Sequence, residues 1–242
     1  MVEQERIAAY LFSLEKDMPA FLEELEKQAI KDHVPIIRKS TQAILRFLMA
    51  SFQPENILEV GTAVGFSGIF MMTYLLNDKK KYSKNNSEND KKKLHLTTIE
   101  KVPERIRQAK ENFKKAELSE YITLLEGEAE EILQNLLKQK EEKIDFIPKE
   151  GYSMIFMDAA KGQYLHFLPT VKQLLKKGGL LVSDNVLQDG TIIESRYSIT
   201  RRDRTIHERM REYLYQLSHD TDFETVTLPM GDGVTLSYKY VN

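Results

Sequence analysis

The chain has 242 residues, 41% of them hydrophobic, enough to bury a substantial core without requiring more than one domain. It contains no cysteine, which excludes disulfides, thiolate zinc sites and cysteine nucleophiles. A formal net charge of −2 argues against a protein that coats nucleic acid by bulk electrostatics, while leaving room for a local basic patch.

The first residues, Met1-Val2-Glu3-Gln4-Glu5-Arg6, lack the basic-then-apolar order of a secretory signal, and no apolar run approaches membrane-spanning length. The expected compartment is therefore the cytoplasm, with no membrane partner. Residues 3–16 and 18–31 carry apolar positions at helical spacing, with Asp17 and Pro19 as stop and restart, and a third helical pattern runs from Ser40 to Phe52. A strand is expected from Asn56 to Val60, then a helix from Phe66 to Leu76 that is apolar on most faces. Asp78 to Lys93 is rich in lysine, asparagine and serine and has almost nothing to bury, so it reads as a solvent-exposed, flexible insertion.

Leu94 to Ile99 alternates as a strand ending in Glu100, Pro103 sits where a helix would begin, and Tyr121 to Leu125 is the next strand. A charged stretch from Lys138 to Lys149 reads as a second surface excursion. It precedes the apolar run Met154 to Met157, which Asp158 closes. Gln163 to Lys176 has a helical pattern, with Gly178-Gly179 as its terminator. The run Gly179 to Ser183 then leads into Asp184-Asn185. An arginine-rich loop precedes a helix from about Thr205 to Leu217, and strands at Phe223 to Leu228 and Val234 to Tyr240 flank the turn Pro229-Met230-Gly231-Asp232-Gly233. Alternating strand and helix signals predict an α/β fold: an open, mostly parallel sheet with helices on both faces and an antiparallel edge.

In that fold Asp158, Asp184 and Asn185 fall at the carboxyl ends of two strands, where open α/β sheets bind ligands. Two carboxylates and one amide carbonyl are hard oxygen donors suited to magnesium or manganese. Taken singly, an aspartate at a strand end is more often a turn cap. Upstream, Glu59-x-Gly61-x-x-x-Gly65 has wider glycine spacing than the dinucleotide fingerprint G-x-G-x-x-G, which counts against a nicotinamide cofactor. Its glycines let backbone amides approach a ligand, Ser67 in the next helical turn can donate to a carboxylate, and Glu100 is placed to accept from ribose hydroxyls. The bland reading of these residues is a tight strand-to-helix turn and a solvated helix cap.

The order of Glu59 to Gly65, Glu100, Gly127-Glu128-Ala129 and Asp158 resembles the class I S-adenosylmethionine-dependent methyltransferases. The span from Asp158-Ala159-Ala160-Lys161-Gly162-Gln163-Tyr164 to Asp184-Asn185 narrows the resemblance to the metal-dependent O-methyltransferases that include the catechol and caffeoyl-CoA enzymes. Within these, His33-Val34-Pro35-Ile36 and Pro229 to Gly233 resemble the bacterial tRNA 5-hydroxyuridine methyltransferases. The resemblance covers nearly the whole chain, leaving out 78–93 and 138–149. It implies a Rossmann-like fold: a seven-stranded, mostly parallel sheet with an antiparallel C-terminal edge strand and extra N-terminal helices. Residues 1–242 would form one domain, with 1–52 as its helical part.

What the resemblance implies about the site is specific. Ile37 would contact the methionine part of S-adenosylmethionine, Gly61 and Ser67 its carboxylate end, Glu100 its ribose, and Glu128 and Ala129 its adenine surroundings. Glu59 and Gly65 complete the cofactor motif. The family usually has aspartate where this chain has Glu128. Asp158, Asp184 and Asn185 would hold magnesium or manganese, which acidifies and orients an acceptor hydroxyl. Lys161 matches the lysine assigned as general base in the catechol enzymes; a lysine that orients substrate or pairs with a carboxylate is the equal alternative. The implied acceptor is 5-hydroxyuridine at the wobble position of tRNA, giving 5-methoxyuridine. Tyr164 would contact the base, and Arg201, Arg202 and Arg204, with Arg196, Arg209 and Arg211, the anticodon phosphates. The interspersed Asp203, Glu208 and Glu212 would equally suit an ordinary solvated face. The alternative acceptor is a catechol-like or caffeoyl-CoA-like phenol. A homodimer framed by the N-terminal helices and the C-terminal region is also implied.

Overall fold

The computed structural model describes residues 2–82, 94–142 and 148–241. In chain order it comprises α1 (Val2–Ser13), α2 (Ala20–Lys31), α3 (Lys39–Ser51), β1 (Asn56–Val60), α4 (Phe66–Tyr82), β2 (His95–Glu100), α5 (Pro103–Lys115), β3 (Ile122–Glu126), α6 (Ala129–Glu141), β4 (Tyr152–Met157), a 3₁₀ turn (Lys161–Gln163), α7 (Tyr164–Leu174), β5 (Leu175–Asp184), a second 3₁₀ segment (Gln188–Ile193), α8 (Arg204–His219), β6 (Phe223–Leu228) and β7 (Val234–Lys239). The expected insertion begins inside α4, which runs on to Tyr82; residues 83–93 lie outside the described residues. The charged stretch begins within α6, and 143–147 also lie outside.

The strands form one sheet in the order β3-β2-β1-β4-β5-β7-β6. β1 to β5 are mutually parallel, and β7 runs antiparallel between β5 and β6. The antiparallel strand is therefore one place in from the edge, and β6 is the edge itself. Chain order reverses between β1 and β4, so the crevice of this open sheet lies at the carboxyl ends of those two strands.

Central strands are buried on both faces, which explains their continuous apolar runs. Alternation sorts the side chains. Ile57, Leu96, Met154, Phe156 and Val182 pack against α2 to α5, while Leu58, Ile99, Ile155, Met157 and Leu181 pack against α6 to α8. Among the described residues, no helix is long and apolar enough to cross a membrane.

One boundary differs from expectation. The helix that should reach Lys176 ends at Leu174, and Gly178-Gly179 lies within β5 and not at a helix end. The Nζ of Lys239 donates to the carbonyls of Lys172 and Leu175, and the Nζ of Lys140 donates to that of Gln173. Lysines from β7 and α6 thus satisfy carbonyls that a glycine cap would otherwise serve. The displaced residues appear as a register shift between Tyr152↔Leu175 and Met154↔Leu180.

Candidate active site

A cleft of about 670 Å³ opens over the carboxyl ends of β1, β2, β4 and β5, a volume in the range of small-molecule sites. Its wall includes Ile37, Gly61, Ser67, Glu100, Glu128, Ala129, Asp158, Lys161 and Asn185. Seven other expected site residues, Glu59, Gly65, Tyr164, Asp184, Arg201, Arg202 and Arg204, are not on that wall.

Gly61 follows β1 with φ +108°, and a Cβ there would run into the Asp158 carbonyl oxygen. The glycine is thus required by the neighbouring strand as well as by any ligand. Gly65, φ +85°, packs on the Phe113 ring. Glu59 lies under the turn, fully buried, accepting from the Ser67 hydroxyl at 2.5 Å and the Thr98 hydroxyl at 2.6 Å. Burial pushes its carboxyl up to about 7 against the lowering effect of those two bonds. Ser67 therefore spends its proton on Glu59. It can donate to a ligand carboxylate only when Glu59 carries a proton of its own.

Glu100 accepts from three backbone N–H groups, of Ala63 at 2.9 Å and of Lys101 and Val102 at 3.0 Å each. A carboxylate offers about four lone-pair sites, so this rigid group retains acceptor capacity toward the cleft. Glu128 precedes α6, is exposed, and pairs with Lys101 at 3.2 Å. Its carboxylate points along the rim, while Ala129 opens the helix.

On the other side of the switch point, Asp158 follows β4 and its N–H donates to the carbonyl of Val60 at 3.0 Å. Burial and the neighbouring Asp184 push its carboxyl up to about 7, and Lys161 opposes the shift. Asp184 ends β5 with only 1% of its surface exposed. Its Oδ1 accepts from the Thr41 hydroxyl at 3.0 Å and the Asn185 N–H at 2.8 Å, whereas Oδ2 is buried with no partner among the described residues. Burial raises its pKa as well. An orphaned carboxylate oxygen beside a second raised carboxyl is an environment that a cation would satisfy. Among the described residues no three imidazole or carboxylate groups converge into a ready cage. A cation here would take Asp158, Asp184, the Asn185 carbonyl and oxygens from outside the chain.

Lys161 opens the 3₁₀ turn after β4. Its Nζ donates to Oδ2 of the buried Asp232 at 2.9 Å. Asp232 sits between Gly231 and Gly233, both at positive φ, and its Oδ1 accepts the Asp189 N–H. In the sequence Asp232 reads as part of a turn and of the Pro229 to Gly233 motif, with no role at the site. The available signal was an acidic residue between two glycines, a backbone able to fold the carboxylate inward.

Tyr164 departs from expectation. It is fully buried, its hydroxyl within 3.0 Å of the Met157 carbonyl and 3.1 Å of the Asp184 carbonyl, and its ring meets Tyr213 edge-on. It cannot reach a base in the cleft. It ties together the ends of β4 and β5 that carry the two aspartates. The arginines also divide. Arg201 and Arg202 are exposed, Arg204 donates to the Ile199 carbonyl, Arg209 to that of Gly162 and Arg211 to that of Ile192, and Arg196 pairs with Glu208.

A family model described as O-methyltransferase matches residues 12–240. Caffeoyl-CoA O-methyltransferase 3 of Nicotiana tabacum is 27% identical over 236 residues, 95% of this chain and 89% of its own length. Catechol O-methyltransferase of Niastella koreensis is 30% identical over 150 residues, 62% of this chain and 58% of its own. The crystal structure of the Podospora anserina methyltransferase PaMTH1, bound to S-adenosylhomocysteine, superposes with a TM-score of 0.78 at 22% identity, covering 98% of this chain and 95% of that one. A family match over nearly the whole length, on a fold shared with that structure, places the chain in the O-methyltransferase family, as an S-adenosylmethionine-dependent enzyme.

Proposed function

We propose that this enzyme methylates one hydroxyl of an acceptor bearing two adjacent oxygens, a catechol-like phenol foremost, with magnesium or manganese held by Asp158, Asp184 and Asn185. The observation that carries this reading is the partnerless, buried Oδ2 of Asp184 next to the raised carboxyl of Asp158. When bound, the cation would supply Lewis acidity and orientation at the acceptor oxygens. The chain's own groups do the rest. Gly61, Ser67, Glu100 and Ala129 line the end of the cleft where the methyl donor binds, with Ile37 closing over it. Lys161, anchored by Asp232, would stand beside the acceptor oxygen as the hydroxyl proton passes to solvent water in the open cleft. The new C–O bond then forms as the sulfonium C–S bond breaks, leaving S-adenosylhomocysteine. The ion pair with Asp232 favours the orienting role of Lys161 over that of an obligatory base.

A second acceptor, 5-hydroxyuridine at the tRNA wobble position, has one observation on its side. Arg201 and Arg202 stand exposed in the segment leading to α8, and Arg209 of that helix bonds to Gly162 beside Lys161, so cationic surface adjoins the cleft. The test is incubation with labelled S-adenosylmethionine and magnesium, with either catechol or hypomodified tRNA as acceptor. Cation-dependent label on catechol is the expected result. Label on tRNA alone would transfer the assignment to the nucleoside, and full activity in chelator would overturn the metal reading. Asp158→Ala and Asp184→Ala are each expected to lower kcat/KM at least ~100-fold, the upper end of effects seen even for outer-shell partners of metal ligands.

Exposed Tyr10, Leu11, Leu14 and, at the C-terminus, Val241 support a homodimer through those two regions, which light scattering on the purified protein tests directly.

A further inference from the structure

Asp184 differs from the other proposed cation ligands in lying beneath the cleft wall, where its side chain has no solvent to complete its hydrogen bonds. Both donors that reach it, the Thr41 hydroxyl at 3.0 Å and the Asn185 N–H at 2.8 Å, converge on Oδ1. The Asn185 bond is local to the strand end. Thr41 comes from 143 residues away in sequence, from the first turn of α3, and is itself 1% exposed. An aspartate carboxylate rotates in a broad, nearly two-fold potential. Two donors fixed on one oxygen remove that freedom and leave the other oxygen without a partner among the described residues.

We propose that Thr41 is a positioning residue for the cation: its hydroxyl holds Oδ1 so that Oδ2 of Asp184 is the oxygen presented for coordination. The inference rests on the metal reading proposed above. Outer-shell donors of this kind orient ligating carboxylates, and their removal typically weakens metal binding 10- to 100-fold. The competing role is purely architectural, a tie between α3 and the sheet.

The two roles separate by measuring Mn²⁺ binding to the full chain without methyl donor, by titration calorimetry or by the resonance of free Mn²⁺, alongside melting temperature without cation. Thr41→Val should raise the Mn²⁺ dissociation constant about 10-fold or more, and Thr41→Ser, which keeps the hydroxyl, should restore the wild-type value. If the valine variant does not fold, Thr41→Ala carries the same comparison, since it removes the hydroxyl without adding a methyl toward Asp184. Clear Mn²⁺ binding by the wild type with an unchanged constant in the hydroxyl-free variant, even with a lowered melting temperature, overturns the inference and leaves the metal reading standing. Absence of Mn²⁺ binding by the wild type overturns both.

Discussion

At the scale of single residues, the site concentrates carboxyls whose pKa burial raises. Glu59 is the clearest case, because its carboxyl is fully enclosed and raised from 4.5 to about 7. Between those values the folded chain binds a proton that the unfolded chain has released, so stability is full below about pH 4.5 and falls as pH rises toward 7. At 1.36 kcal/mol per pH unit the loss from this group is at most about 3 kcal/mol. Glu59→Gln, which keeps an acceptor for Ser67, is expected to flatten this dependence and to raise the melting temperature above wild type at pH 8; thermal melts at pH 5, 6.5 and 8 check it. For Tyr164, replacement by phenylalanine keeps the ring against Tyr213 but removes the hydroxyl that bonds the Met157 and Asp184 carbonyls. The expected cost is ~1–3 kcal/mol of unfolding free energy, read from urea midpoints. The sequence marks Asp158 and Asp184 because an acidic residue ending an apolar strand run has a fixed place in a parallel sheet. It cannot mark Tyr164 as interior, since the 3₁₀ turn that swings the ring under the sheet edge is set by packing on α8.

At the scale of elements, strands and their order follow from patterning, whereas several boundaries follow from contacts made elsewhere. The end of α7 is an example. A glycine pair in sequence announces a helix stop, yet lysines from β7 and α6 reach the carbonyls first and the chain turns extended at Leu175. Lys239→Met should therefore destabilise the protein by ~1–2 kcal/mol, because two carbonyls lose a charged donor; chemical denaturation measures this, with β7 and the site otherwise intact. The strand-to-helix turn after β1 shows the reverse situation. Gly61 was legible as a required glycine, but the sharpest reason for it is tertiary: the Asp158 backbone passes where a Cβ would sit. Gly61→Ala is expected to cost more than ~2 kcal/mol and to displace Asp158 at the end of β4, so both melting temperature and activity should fall together.

At the scale of the whole molecule, the N-terminal helices and the C-terminal turn meet across the cleft. Arg38 pairs with Asp189 at 2.5 Å, the Asp189 N–H is held by Asp232, and Asp232 holds Lys161. The Arg38–Asp189 pair is 48% exposed on the arginine and 68% on the aspartate, so its contribution to stability should be under ~1 kcal/mol. Arg38→Met is expected to leave the melting temperature nearly unchanged while altering the KM for the acceptor, a split that steady-state kinetics and melting curves resolve. Patterning and motif order were enough to read the α/β sheet, the glycine turn after β1 and the strand-end places of Glu100, Asp158 and Asp184, because apolar runs and the polar residues that end them are local and survive in one dimension. Only the tertiary structure decided that Tyr164 is a brace, that Asp232 is the partner of Lys161, and that Thr41 faces Asp184. Each of those contacts joins residues on different elements, whose meeting depends on how helices pack across the sheet and not on their spacing in the chain.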